Sequence, residues 1–147
     1  MGNRRSRARQ YALQALYQWQ VTGQDIADIE GQFLEKEELA KSDVGLFVEL
    51  LHGVPGNLRE LDEALAPLLS RPLSQVDPVE LAVLRIGAYE LGHHLDIPYR
   101  VVINEAVELA KHFGADQSHR FVNGVLDKLA RRLRPAEQAP SRRSGAG

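Results

Sequence analysis

A chain of 147 residues, 44% of them hydrophobic, is long enough to bury one core without covalent cross-links. It contains no cysteine, which excludes disulfide scaffolds, thiol nucleophiles and thiolate metal sites. No stretch approaches the roughly 20 apolar residues of a membrane span, and none resembles a signal peptide. We therefore expect a soluble protein of the cytoplasm that makes no membrane contact.

Charge is distributed unevenly along the chain. The first ten residues hold four arginines and no acidic residue, and residues 131–147 carry a charge of +4. Since the whole chain has a net charge of −2, the body between these ends carries −10. Basic ends indicate a polyanionic ligand, whereas the acidic body favours a basic protein partner.

Helical periodicity begins at the N-terminus. Apolar residues of the first segment fall on one face of a helix that ends at Thr22-Gly23. We expect Asp25 to cap a second helix, and Ser42 or Asp43 to cap a third. Pro55-Gly56 interrupts the third pattern and leaves two alternatives, one kinked helix or two helices with a tight break.

The second half of the chain has clearer helix boundaries. Residues 77–80, Asp-Pro-Val-Glu, combine a cap, a proline at the first position and a glutamate three residues after the cap. The helix that they open is apolar nearly all round, so we expect it to be central and buried. Helical spacing then continues over residues 99–113, and a last helix starts near Asp116 and ends before Pro135.

These elements predict an all-α fold, a compact bundle of about six or seven helices. No hairpin signal or internal repeat interrupts the helical pattern. Residues 1–135 form the expected single domain. Residues 136–147 are rich in proline, serine, arginine and glycine, and we expect them to form a disordered tail.

Several long blocks carry a resemblance to a known family. They are the Arg-rich entry into Ala-Leu-Gln-Ala-Leu-Tyr-Gln-Trp within residues 4–19, and further blocks at residues 25–28, 82–86, 89–91, 103–111, 113–115 and 118–128. On these blocks the sequence resembles the bacterial NusB family of antitermination factors. The resemblance implies two packed helical subdomains, no enzymatic activity and no cofactor. It also implies joint binding of boxA RNA with NusE, a ribosomal protein, in an antitermination complex on RNA polymerase.

The N-terminal arginines match the Arg-rich segment with which the family contacts RNA. Cations in the first turns of a helix are disfavoured by its dipole, so stability does not explain the cluster. The alternative is a solvated basic terminus. If all four neutralise phosphates, the log–log dependence of RNA affinity on salt should have a slope of about −3. These residues are Arg4, Arg5, Arg7 and Arg9.

The resemblance places a second group of RNA-contacting residues around the start of the last helix. Phe121 would stack on an unpaired base, with the alternative that it is a core residue at helical spacing from Val125. At the other end of this helix, the cations of residues 131–134 are favoured by the dipole and more consistent with a structural role. The remaining predicted RNA contacts are Lys111, Gln117, Ser118 and Arg120.

Two residues match positions that the family uses toward its partners. Tyr17 lies opposite the apolar stripe of the first helix, so we expect it to be exposed. Glu80 matches a position that faces NusE. The alternatives are a chance exposed aromatic residue for Tyr17 and a capping glutamate for Glu80.

Other functions are less well supported. The histidines at residues 93, 94, 112 and 119 lack the paired spacing of a zinc site, so we expect no bound metal. One alternative is a homodimer that masks the RNA surface. Another is a stand-alone relative of the helical RNA-binding domain of ribosomal RNA methyltransferases, whose catalytic domain needs a nucleophilic cysteine that this sequence lacks.

Overall fold

All regular structure in the described residues is helical. A computed structural model describes residues 3–138, and residues 1–2 and 139–147 lie outside it. Its helices confirm the all-α prediction, with one helix more than the upper number expected. They are α1 (Arg4–Thr22), α2 (Ile26–Leu34), α3 (Val44–Gly56), α4 (Leu58–Leu65), α5 (Pro78–His93), α6 (Tyr99–Phe113), α7 (Ser118–Leu133) and α8 (Pro135–Gln138), with short 3-10 helices at Glu37–Lys41, Ala66–Leu68 and Leu73–Gln75.

The helix ends follow local capping chemistry. The side chain of Asn3 accepts a hydrogen bond from the backbone three residues on, and Gly23 ends α1 in the left-handed conformation at φ 70°. Asp43, one of the two expected caps of α3, accepts a backbone N–H in the same way. Asp77 accepts two backbone N–H groups at the start of α5. Asp25 precedes α2 but makes no side-chain cap bond.

The Pro55-Gly56 signal marks a tight break between two helices. α3 runs through Pro55 to Gly56, and α4 begins two residues later at Leu58. Between them, the Asn57 side chain donates to the carbonyl of Gly53 at 2.8 Å, which satisfies an acceptor at the helix end. Of the two alternatives, the pair of helices is the one observed.

One continuous core joins all the long helices. α5 is buried along Ala82–Leu91 and lies between α1 and α3 on one side and α6 and α7 on the other. α1 and α5 run antiparallel, because Arg9 contacts Glu90 while Gln20 contacts Pro78. α6 runs alongside α1 in the same direction. The start of α1 therefore lies near the end of α5, and its end lies near the start of α5 and the end of α6.

The predicted boundary of the disordered tail is displaced, because residues 136–138 form part of α8. Arg134 just before α8 is buried and donates to the carbonyls of Leu91, His94 and Ile97, and it also pairs with Glu137. Arg134 thus closes the end of α5, which agrees with the structural role expected for this cluster. The rest of the predicted tail lies outside the described residues.

No helix within residues 3–138 is both long enough and apolar enough to cross a membrane.

Candidate RNA and partner interface

Three of the four N-terminal arginines remain accessible on the first turns of α1. Arg4 donates to the carbonyl of Ser42 at 3.0 Å, and Arg5 forms a loose ion pair with Asp43 at 3.5 Å. Arg7 is exposed, and its side chain makes no hydrogen bond or ion pair with other residues of the described chain. We call these three residues the arginine end of α1.

The prediction for Arg9 is wrong, because this residue is only 3% exposed. Its Nε and Nη2 atoms donate to the two carboxylate oxygens of Glu90 at 2.7 and 2.8 Å, and its Nη1 atom lies 3.5 Å from Glu105. Such a forked ion pair inside the core leaves no surface for RNA. The sequence contained an indication of this pair, since Glu90 lies in a helix that is apolar nearly all round and a buried carboxylate requires a partner.

The buried ion pair belongs to a larger network. Burial raises the pKa of Glu90, but hydrogen bonds from Arg9 and His94 outweigh it and leave that pKa below its usual value. The hydrogen bond to Glu90 raises the pKa of His94 against the effect of burial, and Glu49 raises it further. Burial, followed by a hydrogen bond to Glu49, raises the pKa of Tyr89 to about 12. The network ties α1, α3 and α5 together.

Ser118 is also internal, contrary to its predicted contact with RNA. It is 2% exposed, and its hydroxyl donates to Glu80 at 2.6 Å. A side chain at Gly114 would meet both the Ala110 carbonyl at 2.7 Å and Ser118 at 2.9 Å, so this turn requires glycine. Ser118 therefore attaches the start of α7 to α5. Glu80 is mostly buried beside this contact, and within residues 3–138 the side chain that caps α5 is that of Asp77 and not that of Glu80.

The turn between α6 and α7 exposes the remaining polar candidates. Lys111 and Gln117 line a cleft of about 410 Å³ together with Gly114, Ala115, Asp116 and His119. Gln117 adopts a positive φ of 74°, the one such non-glycine residue in the described chain. Arg120 is exposed one turn later. These side chains surround a concave polar surface beside the start of α7.

Phe121 is partly a core residue, as one of its two predicted alternatives proposed. The ring is half-buried and packs against the core, while the guanidinium of Arg71 lies over it at 5.5 Å from the ring centroid. Arg71 was not among the residues predicted from the sequence to bind RNA. No local signal points to it, because the contact joins residues 50 positions apart.

Tyr17 is 40% exposed, as predicted, and borders an apolar groove of about 490 Å³. Leu13 of the same helix is buried beneath it, and the walls come from α2, α5 and α6. We call this the Tyr17 groove. Its full lining is Leu13, Gln14, Tyr17, Gln18, Val21, Thr22, Phe33, Val79 and Phe113.

The candidate residues thus occupy two regions along α1. Twelve residues separate Arg5 from Tyr17, which at about 1.5 Å per residue is about 18 Å. The Tyr17 groove adjoins the α6–α7 turn, because Phe113 ends α6 and Val79 precedes Glu80. A ligand that contacts both the arginine end and the α6–α7 turn must span that distance.

Comparison with known proteins identifies the family. The model of the NusB family matches residues 6–131. The chain belongs to the NusB family. A transcription antitermination protein NusB from Idiomarina loihiensis is 57% identical over 134 residues, covering 91% of this chain and 96% of that protein. NusB proteins are antitermination factors without enzymatic activity.

Solved NusB structures share the fold. A NusB from T. maritima superposes with a TM-score of 0.74 at 33% identity, covering 89% of this chain and 93% of the other. A second match is a complex of the antitermination factors NusB and NusE with double-stranded RNA, at 24% identity and a TM-score of 0.75, covering 90% and 99%. At that identity the second likeness supports the fold alone.

Proposed function

We propose that this NusB family protein binds the boxA element of nascent transcripts from ribosomal RNA operons, together with NusE. The joint complex would act on RNA polymerase in the cytoplasm so that transcription continues through terminators. The observation that carries the proposal is the division of α1 into an accessible arginine end and an exposed apolar groove. One helix thereby presents both an RNA-binding and a protein-binding surface.

The RNA surface rests on the accessible cations and the adjacent polar turn. Arg4, Arg5 and Arg7 provide forked donors suited to phosphates. Toward the other end of α1, Lys111 and Gln117 line the cleft at the α6–α7 turn, and Arg120 is exposed close to it in sequence. Single-stranded RNA can follow such an interrupted surface because its bases are free to splay apart and stack. Arg9 and Ser118 would serve this surface only by holding α1 and α7 in place.

The partner surface rests on the Tyr17 groove. An exposed tyrosine above an apolar floor is typical of protein interfaces, where a ring gives apolar area and a hydroxyl stays hydrated. A basic ribosomal protein complements the charge of −10 on the body of the chain. We therefore assign the groove to NusE, and a second copy of this chain is the competing occupant that an experiment must separate.

The decisive experiment titrates a short boxA RNA with and without NusE and records the mass of each complex. We expect one copy each of the protein, NusE and RNA. A complex with two copies of this chain that dissociates as NusE is added would indicate a homodimer through the same groove. A mass that never includes NusE would contradict the partner assignment.

Salt dependence tests the arginine end separately. Because Arg9 is buried, three contacts remain, and replacing Arg4, Arg5 and Arg7 by alanine should reduce the log–log slope by about 2. A matched control replaces Arg59 and Arg131, which pair with acidic residues four positions along their own helices. That control should leave the slope unchanged. An unchanged slope in the triple variant would refute RNA binding at the arginine end.

A further inference from the structure

We propose that Arg71 is a further RNA-binding residue, which neutralises a phosphate next to a base stacked at Phe121. Arg71 lies in the connector between Ala66–Leu68 and the 3-10 helix Leu73–Gln75. The inference rests on the RNA-binding function proposed above and extends its site from the α6–α7 turn toward the start of α5.

The first argument is that Arg71 is held in place although it is exposed. Its side chain is 44% accessible, yet three contacts restrain it. The guanidinium lies over the Phe121 ring, Nε donates to the carbonyl of Gln75 at 3.1 Å, and Nη2 lies 3.8 Å from Glu80. A restrained arginine loses less side-chain entropy on binding than a free one, so its charge is available at lower cost.

The second argument is that its donors remain open. At 3.8 Å the Nη2 atom is too far from Glu80 for a hydrogen bond. Glu80 is already engaged, because its other oxygen accepts from Ser118 at 2.6 Å. A guanidinium has five N–H donors, and within residues 3–138 that of Arg71 uses only the one on Nε. The fork formed by Nη1 and Nη2 is free to meet an anion.

The third argument concerns the kind of anion. Single-stranded nucleic acid is bound where bases stack on aromatic rings or on guanidinium planes while cations meet the backbone, and the guanidinium of Arg71 over the Phe121 ring offers both kinds of surface. The expected protein partner is basic, so Arg71 would repel it. Glu80, which faces Arg71 across 3.8 Å, acts here as a positioning residue for both Arg71 and Ser118.

Fluorescence anisotropy of a boxA RNA over a range of salt concentrations tests the proposal. Arg71→Ala should reduce the log–log slope by about 0.7, the value of one phosphate contact on a single strand. Arg71→Lys should keep the slope but lose affinity, since an ammonium group lacks the planar fork. Phe121→Leu should weaken binding by at least about 5-fold with an unchanged slope, because it removes stacking without removing charge.

The control is Arg59→Ala, which removes an exposed arginine paired within its own helix and should change neither the affinity nor the slope.

The proposal would be overturned if Arg71→Ala kept the wild-type affinity and slope while the Arg4, Arg5 and Arg7 variant showed a reduced slope. In that case the proposed function would still stand. Absence of RNA binding by the wild-type chain would overturn both. If Arg71→Ala weakened only NusE binding, the residue would belong to the protein interface and the proposal would be wrong. Should Arg71→Ala fail to fold, Arg71→Gln carries the same expectation for the slope.

Discussion

The two ends of α1 use their side chains in opposite ways. Directly after the arginine end, the fourth arginine, Arg9, is enclosed with Glu90 inside the core. At the other end, Tyr17 is 40% exposed and borders an apolar groove. The charged residue, Arg9, is buried, and the aromatic residue, Tyr17, is exposed. A side chain's location depends on what the neighbouring helices present to it.

The neighbours explain the difference. Opposite the arginine end, α5 and α6 supply the carboxylates of Glu90 and Glu105, which compensate a buried guanidinium. Opposite the groove, α2, α5 and α6 supply Phe33, Val79 and Phe113, which offer no partner to a hydroxyl. A tyrosine there keeps its hydroxyl in water. Each of the following predictions tests one side of this contrast.

The largest expected effect is on stability, at the buried Arg9 next to the arginine end. Arg9→Ala removes the forked partner of the buried Glu90 carboxylate and leaves it only His94, which should lower the free energy of unfolding by about 3–5 kcal/mol. Urea denaturation measures it, with Arg7→Ala as the matched exposed control, expected within about 0.5 kcal/mol of wild type. If Arg9→Ala unfolded like wild type but lost RNA affinity, the contrast between the two ends would fail.

The second effect is on partner affinity at the groove. Tyr17→Ser should weaken NusE binding by about 10-fold or more, as for an aromatic anchor at an interface. The RNA salt slope should stay unchanged, whereas Arg7→Ala should alter the slope and leave NusE affinity intact. Calorimetry measures the affinity for NusE, and fluorescence anisotropy measures the salt dependence of RNA binding, so the two effects are read separately. Equal losses of both affinities in both variants would show that the ends act as one site.

The third effect is a pH dependence in the network behind the arginine end. The His94 ring contacts Glu90 at 3.1 Å and Glu49 at 2.7 Å, and its pKa is raised in the folded state. The stability that protonated His94 contributes is therefore complete below its unfolded pKa of about 6.5, and is lost as the pH rises through the raised folded value. The free energies of unfolding of wild type and His94→Gln should therefore approach each other at high pH. A difference that grew with pH would contradict this sign.

The smallest effect is expected at the surface of the arginine end. The pair of Arg5 with Asp43 is exposed and its atoms are 3.5 Å apart. Arg5→Ala should change the free energy of unfolding by no more than about 0.5 kcal/mol, and the change should vanish in 1 M salt. Thermal denaturation at two salt concentrations measures it. A larger loss that persists in salt would mean that Arg5 is part of the internal network.

Most of the fold could be predicted from local patterns. Asp77 with Pro78, Asp43 and Gly23 mark helix ends because caps act through the nearest backbone groups. The short helix Pro135–Gln138 and the 3-10 helices Glu37–Lys41 and Leu73–Gln75 were not predicted. All of them are short and carry too few apolar positions to show a period.

The candidate site was predicted less completely. The exposure of Tyr17 followed from its angle on the first helix, since that angle depends only on sequence spacing. Leu13 lies one turn before Tyr17 on the same side of α1, yet it is buried in the groove that Phe33 of α2 and Phe113 of α6 also line. Whether one side of a helix is buried depends on how many neighbouring helices pack against it. The apolar periodicity of a single helix carries no information about those neighbours.

What the sequence by itself determined is the set of helices, their caps and the uneven charge, because each arises from residues within a few positions of one another. Only the tertiary structure decided that Arg9 meets Glu90, that Ser118 meets Glu80 and that Arg71 lies over Phe121. These contacts join residues 38 to 81 positions apart, so they exist only once the helices are docked. Docking separates the cations that can reach RNA from those that hold the fold together.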